Sequence, residues 1–320
     1  MNEFELIARL TQSLPTNKSV VTGTGDDCAV LDLGAPDSLV LFKTDAVVEG
    51  IHFTKETPPE KIGRKALARC LSDIAAMAGT PVAALVTVGL PEKFEPEFVA
   101  KIYDGLNVLA EKSGAAVVGG ETTTNPERIL ISIALLGTVA RGKQILRSGA
   151  RAGDAIFVTG ELGGSLAGKH LEFEPRLAEA RWLSEHFPIH AMIDLSDGVA
   201  GDLPHILKAS RVGAELLKNA IPVSRAARLG AAQIPTSRLA GSLAPLKSSL
   251  AAALTDGEDF ELLFTVASRD AVKLLDAWKK KFPKLKLSCI GKIVAGDGIL
   301  IRSKNGSQQL NAQGYEHFSK

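Results

Sequence analysis

Six short acidic segments at the ends of apolar runs, four of them containing glycine, constrain how this chain can fold. They are Gly25-Asp26-Asp27, Thr44-Asp45, Ser72-Asp73, Gly119-Gly120-Glu121-Thr122-Thr123, Asp194-Leu195-Ser196-Asp197-Gly198 and Gly257-Glu258-Asp259. A carboxylate beside an apolar run sits at the edge of a core, where an unpaired charge is costly. Each therefore needs a partner. Asp, Ser and Gly are also ordinary turn and cap residues, and that is the simpler account of any one segment. Six in one chain favour a shared site. Magnesium would suit it, because this ion takes oxygen ligands and shares them with substrate phosphates. Spacing alone leaves the convergence of the six open.

Apolar periodicity predicts the elements that carry them. Phe4, Ile7, Leu10 and Leu14 predict a helix over 4–14. Strands are expected at 28–33, 39–48, 83–90, 115–118 and 129–139, and helices at 59–78 and 96–112. The first of these helices should stop at Gly79, ahead of Pro81. This pattern is an α+β domain with about four strands over residues 1–140. The basic, glycine-rich stretch 141–153 marks a boundary. An α/β second domain over 141–320 follows, with strands at 155–159, 192–195, 260–266, 287–294 and 298–301 and helices at 165–170, 201–210 and 270–282.

A length of 320 residues suits two domains, and 45% hydrophobic with 23% charged residues is a globular balance. The formal net charge of +1 lacks the basic excess of a nucleic-acid-binding protein. Met1-Asn2-Glu3-Phe4-Glu5-Leu6 is acidic and does not read as a signal peptide, and no run is long enough to span a membrane. Cys28, Cys70 and Cys289 are scattered and odd in number, which predicts reduced thiols in a cytoplasmic protein.

Other phosphate and catalytic signatures are weaker. The stretch from Gly163 to Gly168-Lys169 matches G-x-x-x-x-G-K, but His170 stands where a Walker loop needs Ser or Thr. The simpler account is a helix entry with Lys169 in solvent. Neither a G-x-S-x-G elbow nor an H-E-x-x-H pair occurs. Arg147 is either part of a solvated basic linker or a fork for polyphosphate.

Taken in order, the acidic segments resemble a known family. Added to them are Glu49-Gly50-Ile51-His52-Phe53, Leu71-Ser72-Asp73-Ile74-Ala75-Ala76-Met77, Arg147-Ser148-Gly149-Ala150 and Gly314-Tyr315-Glu316-His317-Phe318. The whole set is similar to the thiamine-monophosphate kinases, relatives of aminoimidazole ribonucleotide synthetase and selenophosphate synthetase. The resemblance implies ATP-dependent phosphorylation of thiamine monophosphate to thiamine diphosphate, with several magnesium ions. It implies an N-terminal α+β domain whose mixed sheet pairs with its copy in a homodimer barrel, and a C-terminal α/β domain closing over ATP.

Residue by residue, it implies Asp27, Thr44, Asp45, Asp73, Asp194 and Asp197 as metal ligands, with Asp45, Asp73 and Asp197 central to catalysis. Gly119, Gly120, Arg147 and Ser196 match ATP-contacting positions. His52, Glu258 and Tyr315 match positions for thiamine phosphate. Two departures stand out. Glu121 occupies a place usually held by Asp, and is expected to remain a metal ligand. Lys43 occupies a place usually held by a ligating Ser, so either one metal contact is missing or Lys43 meets phosphate directly.

Selenophosphate synthetase would be expected to carry a reactive Cys or selenocysteine with a nearby Lys in a glycine-rich N-terminal segment, and this chain has neither. The turn around His52 and the Gly314-Tyr315 ending disfavour aminoimidazole ribonucleotide synthetase. A nucleotide-sensing protein without turnover is the alternative of a different class, and Lys43 and Glu121 are what would support it.

Overall fold

The structure, a computed structural model, describes residues 3–230, 248–310 and 314. A short helix, α1 (Glu3–Thr11), opens the chain. The first sheet uses β1 (Val20–Thr22), β2 (Ala29–Leu31), β3 (Ser38–Val48), β4 (Thr80–Leu90), β5 (Ala116–Thr124) and β6 (Leu130–Ala140). Their order is β1-β2-β3-β6-β4-β5. Five of the six fall on stretches expected to be strands, and β1, three residues long, is too short to show a period. Neighbours are antiparallel except β4 and β5. A parallel pair needs a crossover. Helix α3 (Pro96–Ser113) supplies it and ends at left-handed Gly114.

Helix α2 (Pro59–Ala76) positions the site. Pro59 opens it, where a missing N–H costs nothing. One side, with Ile62, Leu67, Leu71 and Ile74, packs into the core of the first sheet. At its end Ala75, Ala76 and Ala78 pack with Phe157, Met192 and Leu262 of the second. The helix lies between two sheets, with apolar residues turned to both. It ends earlier than expected. Ala78 has φ 57, whereas Gly79 serves close packing: a Cβ there would stand 2.4 Å from Leu41.

The second sheet follows. Its strands are β7 (Asp154–Thr159), β8 (Ile189–Asp194), β9 (Gly213–Leu217), β10 (Leu262–Ala267), β11 (Leu287–Val294), β12 (Ile299–Ser303) and β13 (Gly306–Gln309). Their order is β13-β12-β9-β11-β7-β10-β8, with only β12 and β9 parallel. Between β7 and β8 come α4 (Lys169–Glu172) and α5 (Leu177–His186). Later come α6 (Val199–Ser210), α7 (Arg225–Arg228), α8 (Ser249–Thr255) and α9 (Ala271–Lys281). α6 and α8 pack in one core, through Leu203, Ile206 and Leu254. α5 and α9 pack in another, through Leu183, Leu274 and Trp278.

The first sheet is apolar on both faces. One face meets α2 and α3. On the other, Phe42, Leu85, Val118 and Leu136 are 45%, 47%, 62% and 40% exposed. An antiparallel sheet that ends in water normally alternates apolar with polar residues. No helix among the described residues is long and apolar enough to cross a membrane.

Candidate active site

A cleft of about 250 Å³ opens where α2 meets both sheets. Lys43, Asp45, His52, Lys65, Arg69, Asp73, Arg147, Asp194, Ser196, Asp197 and Glu258 are among the residues lining it. The elements explain the convergence. On β3, Lys43 and Asp45 alternate onto the buried face with Leu39, Leu41 and Val47. On α2, Lys65, Arg69, Ser72 and Asp73 follow helical spacing and form one polar stripe on a buried helix. Strand β8 ends at Asp194, and Ser196 and Asp197 occupy the turn before α6.

Asp27, which does not itself line the cleft, completes an acid cluster. Ligand oxygens of Asp27, Asp73 and Asp194 all lie within 4.8 Å of one another, and all three side chains are buried. Burial pushes the Asp194 carboxyl up to about 6, with the charge of Asp27 adding to it. Burial also raises Asp27 and Asp73. Close carboxylates cannot all ionise without compensation. Part of it comes from protein cations. Arg147 holds Asp27 at 2.5 Å, Lys43 holds Asp73 at 2.8 Å, and the Arg69 guanidinium grips Asp45 at 2.8 and 3.2 Å. Asp194 accepts the Ser72 hydroxyl at 2.6 Å. The second oxygen of Asp27 is buried and has no hydrogen-bond partner among the described residues. A hard cation fits that donor set, and Asp27, Asp73 and Asp194 could hold one.

Beside the acids lies a second network. The Lys65 ammonium, 1% exposed, donates to the His52 carbonyl at 2.8 Å, lies 2.8 Å from His170 Nδ1 and pairs with Glu258. Arg69 reaches Glu258 at 3.4 Å. Burial alone would raise the Glu258 carboxyl, but Lys65, His170 and Arg69 hold it well below the glutamate range. Glu258 has φ 58, and its N–H donates to the Ser196 carbonyl at 2.7 Å, tying the two acidic turns together. His52 Nδ1 accepts the Val48 N–H at 3.0 Å, which puts the ring proton on Nε2. Burial, with the nearby Arg69 charge, lowers this imidazole to about 3, so it stays neutral.

The expected residues divide into three sets. Asp27, Asp45, Asp73, Asp194, Asp197, Arg147, Ser196, His52 and Glu258 are all at or beside the cleft. Thr44, Gly119, Gly120 and Glu121 are not. Strand alternation turns Thr44 onto the open face of the first sheet. Gly119 and Gly120, expected in a turn, lie inside the exposed edge strand β5. A Cβ on Gly120 would stand 1.8 Å from the Val86 carbonyl, so close strand approach requires glycine there. Glu121 pairs with Thr87 across that edge. Tyr315 lies outside the described residues. Of the two readings for Arg147, the solvated linker does not hold, since its side chain is half-buried against Asp27. Lys169, expected in solvent, bonds buried Glu261 at 2.9 Å. Lys65 and Arg69 escape sequence reading. Their signal is a pair of cations four apart, in phase with Asp73.

Residues 25–139 match the family described as AIR synthase related protein, N-terminal domain. The thiamine-monophosphate kinase of Rhodopirellula baltica is 38% identical over 315 residues, covering 96% of this chain and 93% of that protein. That of Bacillus subtilis is 30% identical, covering 99% and 100%. Among solved structures, AaThiL complexed with AMPPCP and TMP superposes with a TM-score of 0.79 at 29% identity, covering 99% of this chain and 97% of that one. The hydrogenase maturation protein HypE of E. coli, at 20% identity and a TM-score of 0.68 over 96% and 97% of the two chains, shares the fold.

Proposed function

The chain belongs to the thiamine-monophosphate kinase family, and on that footing we propose that its acid-lined cleft is where ATP passes a phosphoryl group to thiamine monophosphate. The protein is an ATP-dependent kinase whose product is thiamine diphosphate. The observation that carries the site assignment is the convergence of Asp27, Asp73 and Asp194 around an unbonded carboxylate oxygen, with Arg147 alongside. Residues 1–140 form the metal-binding and dimerising part, and residues 141–320 close over the nucleotide.

Asp27, Asp45, Asp73, Asp194 and Asp197 hold the metal in this reading. Magnesium bound there would neutralise the triphosphate and the charge that builds up during transfer. The protein's own groups orient the reactants. Arg147 offers a planar fork to phosphate once Asp27 turns to metal. Ser196 offers its hydroxyl to ATP. Glu258 faces the cationic thiazolium ring. His52, neutral, serves as a hydrogen-bond donor through Nε2–H. Tyr315 supplies an aromatic surface for flat rings.

An acceptor phosphate oxygen attacks the γ-phosphorus in line, and the bond to the β-phosphate oxygen breaks to release ADP. No proton need move, because a phosphate monoester is already largely dianionic at neutral pH, with a second pKa of about 6. In the cleft, Asp27, Asp45, Asp73 and Glu258 are each bound to a protein cation.

The reading includes a homodimer. The apolar open face of the first sheet needs cover, and a second copy of that sheet would close a barrel. Thr44 and Glu121 lie on this same face, and Gly119 and Gly120 lie at its edge, so the second copy would cover all four. Buried, unpaired Cys28 and Cys70 suit a reducing cytoplasm.

The test is thiamine diphosphate formation by the purified protein from ATP, magnesium and thiamine monophosphate. Absence of product at saturating magnesium would sink the proposal. Asp45→Asn should lower kcat by roughly a hundredfold or more. Near-normal rates in that variant would remove Asp45 from the site.

A further inference from the structure

We infer that Lys43 is a resident cation of this site, its ammonium standing in the acid cluster in place of one divalent ion. The inference rests on the site reading above and adds a part to it. A lysine on the buried face of a central strand normally runs its stem outward and leaves its charge in water. Lys43 does not. Its side chain is 24% exposed, and Nζ stops 2.8 Å from Asp73 Oδ1. Asp73 is one of the three aspartates whose ligand oxygens all lie within 4.8 Å of one another. The ammonium is therefore bonded to a member of the cluster.

The other two cations serve differently. Arg147 and Arg69 are planar forks, and they grip Asp27 and Asp45. An ammonium is a compact point charge with three tetrahedral donors. One donor of Lys43 goes to Asp73, which leaves two on a residue that lines the cleft. A compact cation joining an aspartate to a phosphate oxygen does the bridging work of a metal ion, with one charge in place of two.

Counting Mn²⁺ tests this. The full-length protein, Lys43→Ser and Lys43→Met are titrated with Mn²⁺ in the presence of AMPPCP, and free Mn²⁺ is followed by electron paramagnetic resonance. Circular dichroism checks folding. Lys43→Ser should bind one more Mn²⁺ per chain than the wild type. Lys43→Met keeps the length and loses the charge, so its first Mn²⁺ should bind roughly tenfold more tightly. The methionine variant decides the matter if the serine variant does not fold. An unchanged count with serine, or an unchanged affinity with methionine, overturns the role of Lys43. A wild-type protein that takes up no Mn²⁺ with AMPPCP overturns the metal site itself, and the inference with it.

Discussion

Glu261 shows how single residues set the frame around the chemistry. It is 1% exposed and accepts the Thr159 hydroxyl at 2.7 Å, Lys169 at 2.9 Å and Arg176 twice at 2.8 Å. Burial would raise its carboxyl, but Lys169 and Arg176 bring it below the ordinary 4.5. Glu261→Gln leaves those cations without their counter-charge, and should cost roughly 3 kcal/mol by urea denaturation at pH 7. A lowered folded-state pKa stabilises above the unfolded value and fades as pH falls through it. The difference between wild type and variant should therefore shrink below about pH 4.5. An unchanged difference at low pH would mean that Glu261 acts by packing. The site's acids were legible as residues because Asp beside Gly or Ser at the end of an apolar run is a recognisable pattern. Lys65 was not. A lysine in a helix ordinarily lies in solvent, and its burial here depends on Glu258, which lies 193 residues further along the chain.

Among the elements, α2 and α3 cross with their backbones in contact. A Cβ on Gly63 would stand 1.8 Å from the Ile102 carbonyl, and one on Gly105 equally close to the Glu60 carbonyl. Main chain cannot move aside as a side chain can. Gly63→Ala should therefore destabilise by about 3 kcal/mol, the upper end of overpacking costs, read from the urea midpoint. It should also lower kcat, since α2 carries Arg69, Ser72 and Asp73 on one stripe. A variant of wild-type stability would show that the helices can separate freely. Periodicity revealed α2, α3, β3, β4 and β6 almost to their ends, because each is long and half or wholly buried. It failed where no period could form. β1, β9 and β13 are three to five residues long. β5 failed for another reason: Gly119 and Gly120 read as a turn, yet Gly120 is a glycine because the backbone of strand β4 approaches too closely for a side chain.

For the molecule as a whole, the proposed dimer would meet through the exposed face bearing Phe42, Leu85, Val118 and Leu136. Patches of this kind on a folded chain mark interaction surfaces. Leu85→Glu with Leu136→Glu should turn a sedimenting dimer into a monomer at micromolar concentration, and a double variant that still sediments as a dimer would place the contact elsewhere. Inside one chain there is a comparable dependence. Asp27 and Asp73 come from the first half, Asp194 from the second, and Ser72 and Arg147 stitch across the seam. Exchange of either half with that of a relative therefore transplants only part of a cluster. Such a chimera could work only where both parents present their acids at matching heights along the join. The seam ties the histories of the two halves together, so that a change on one side must be answered on the other.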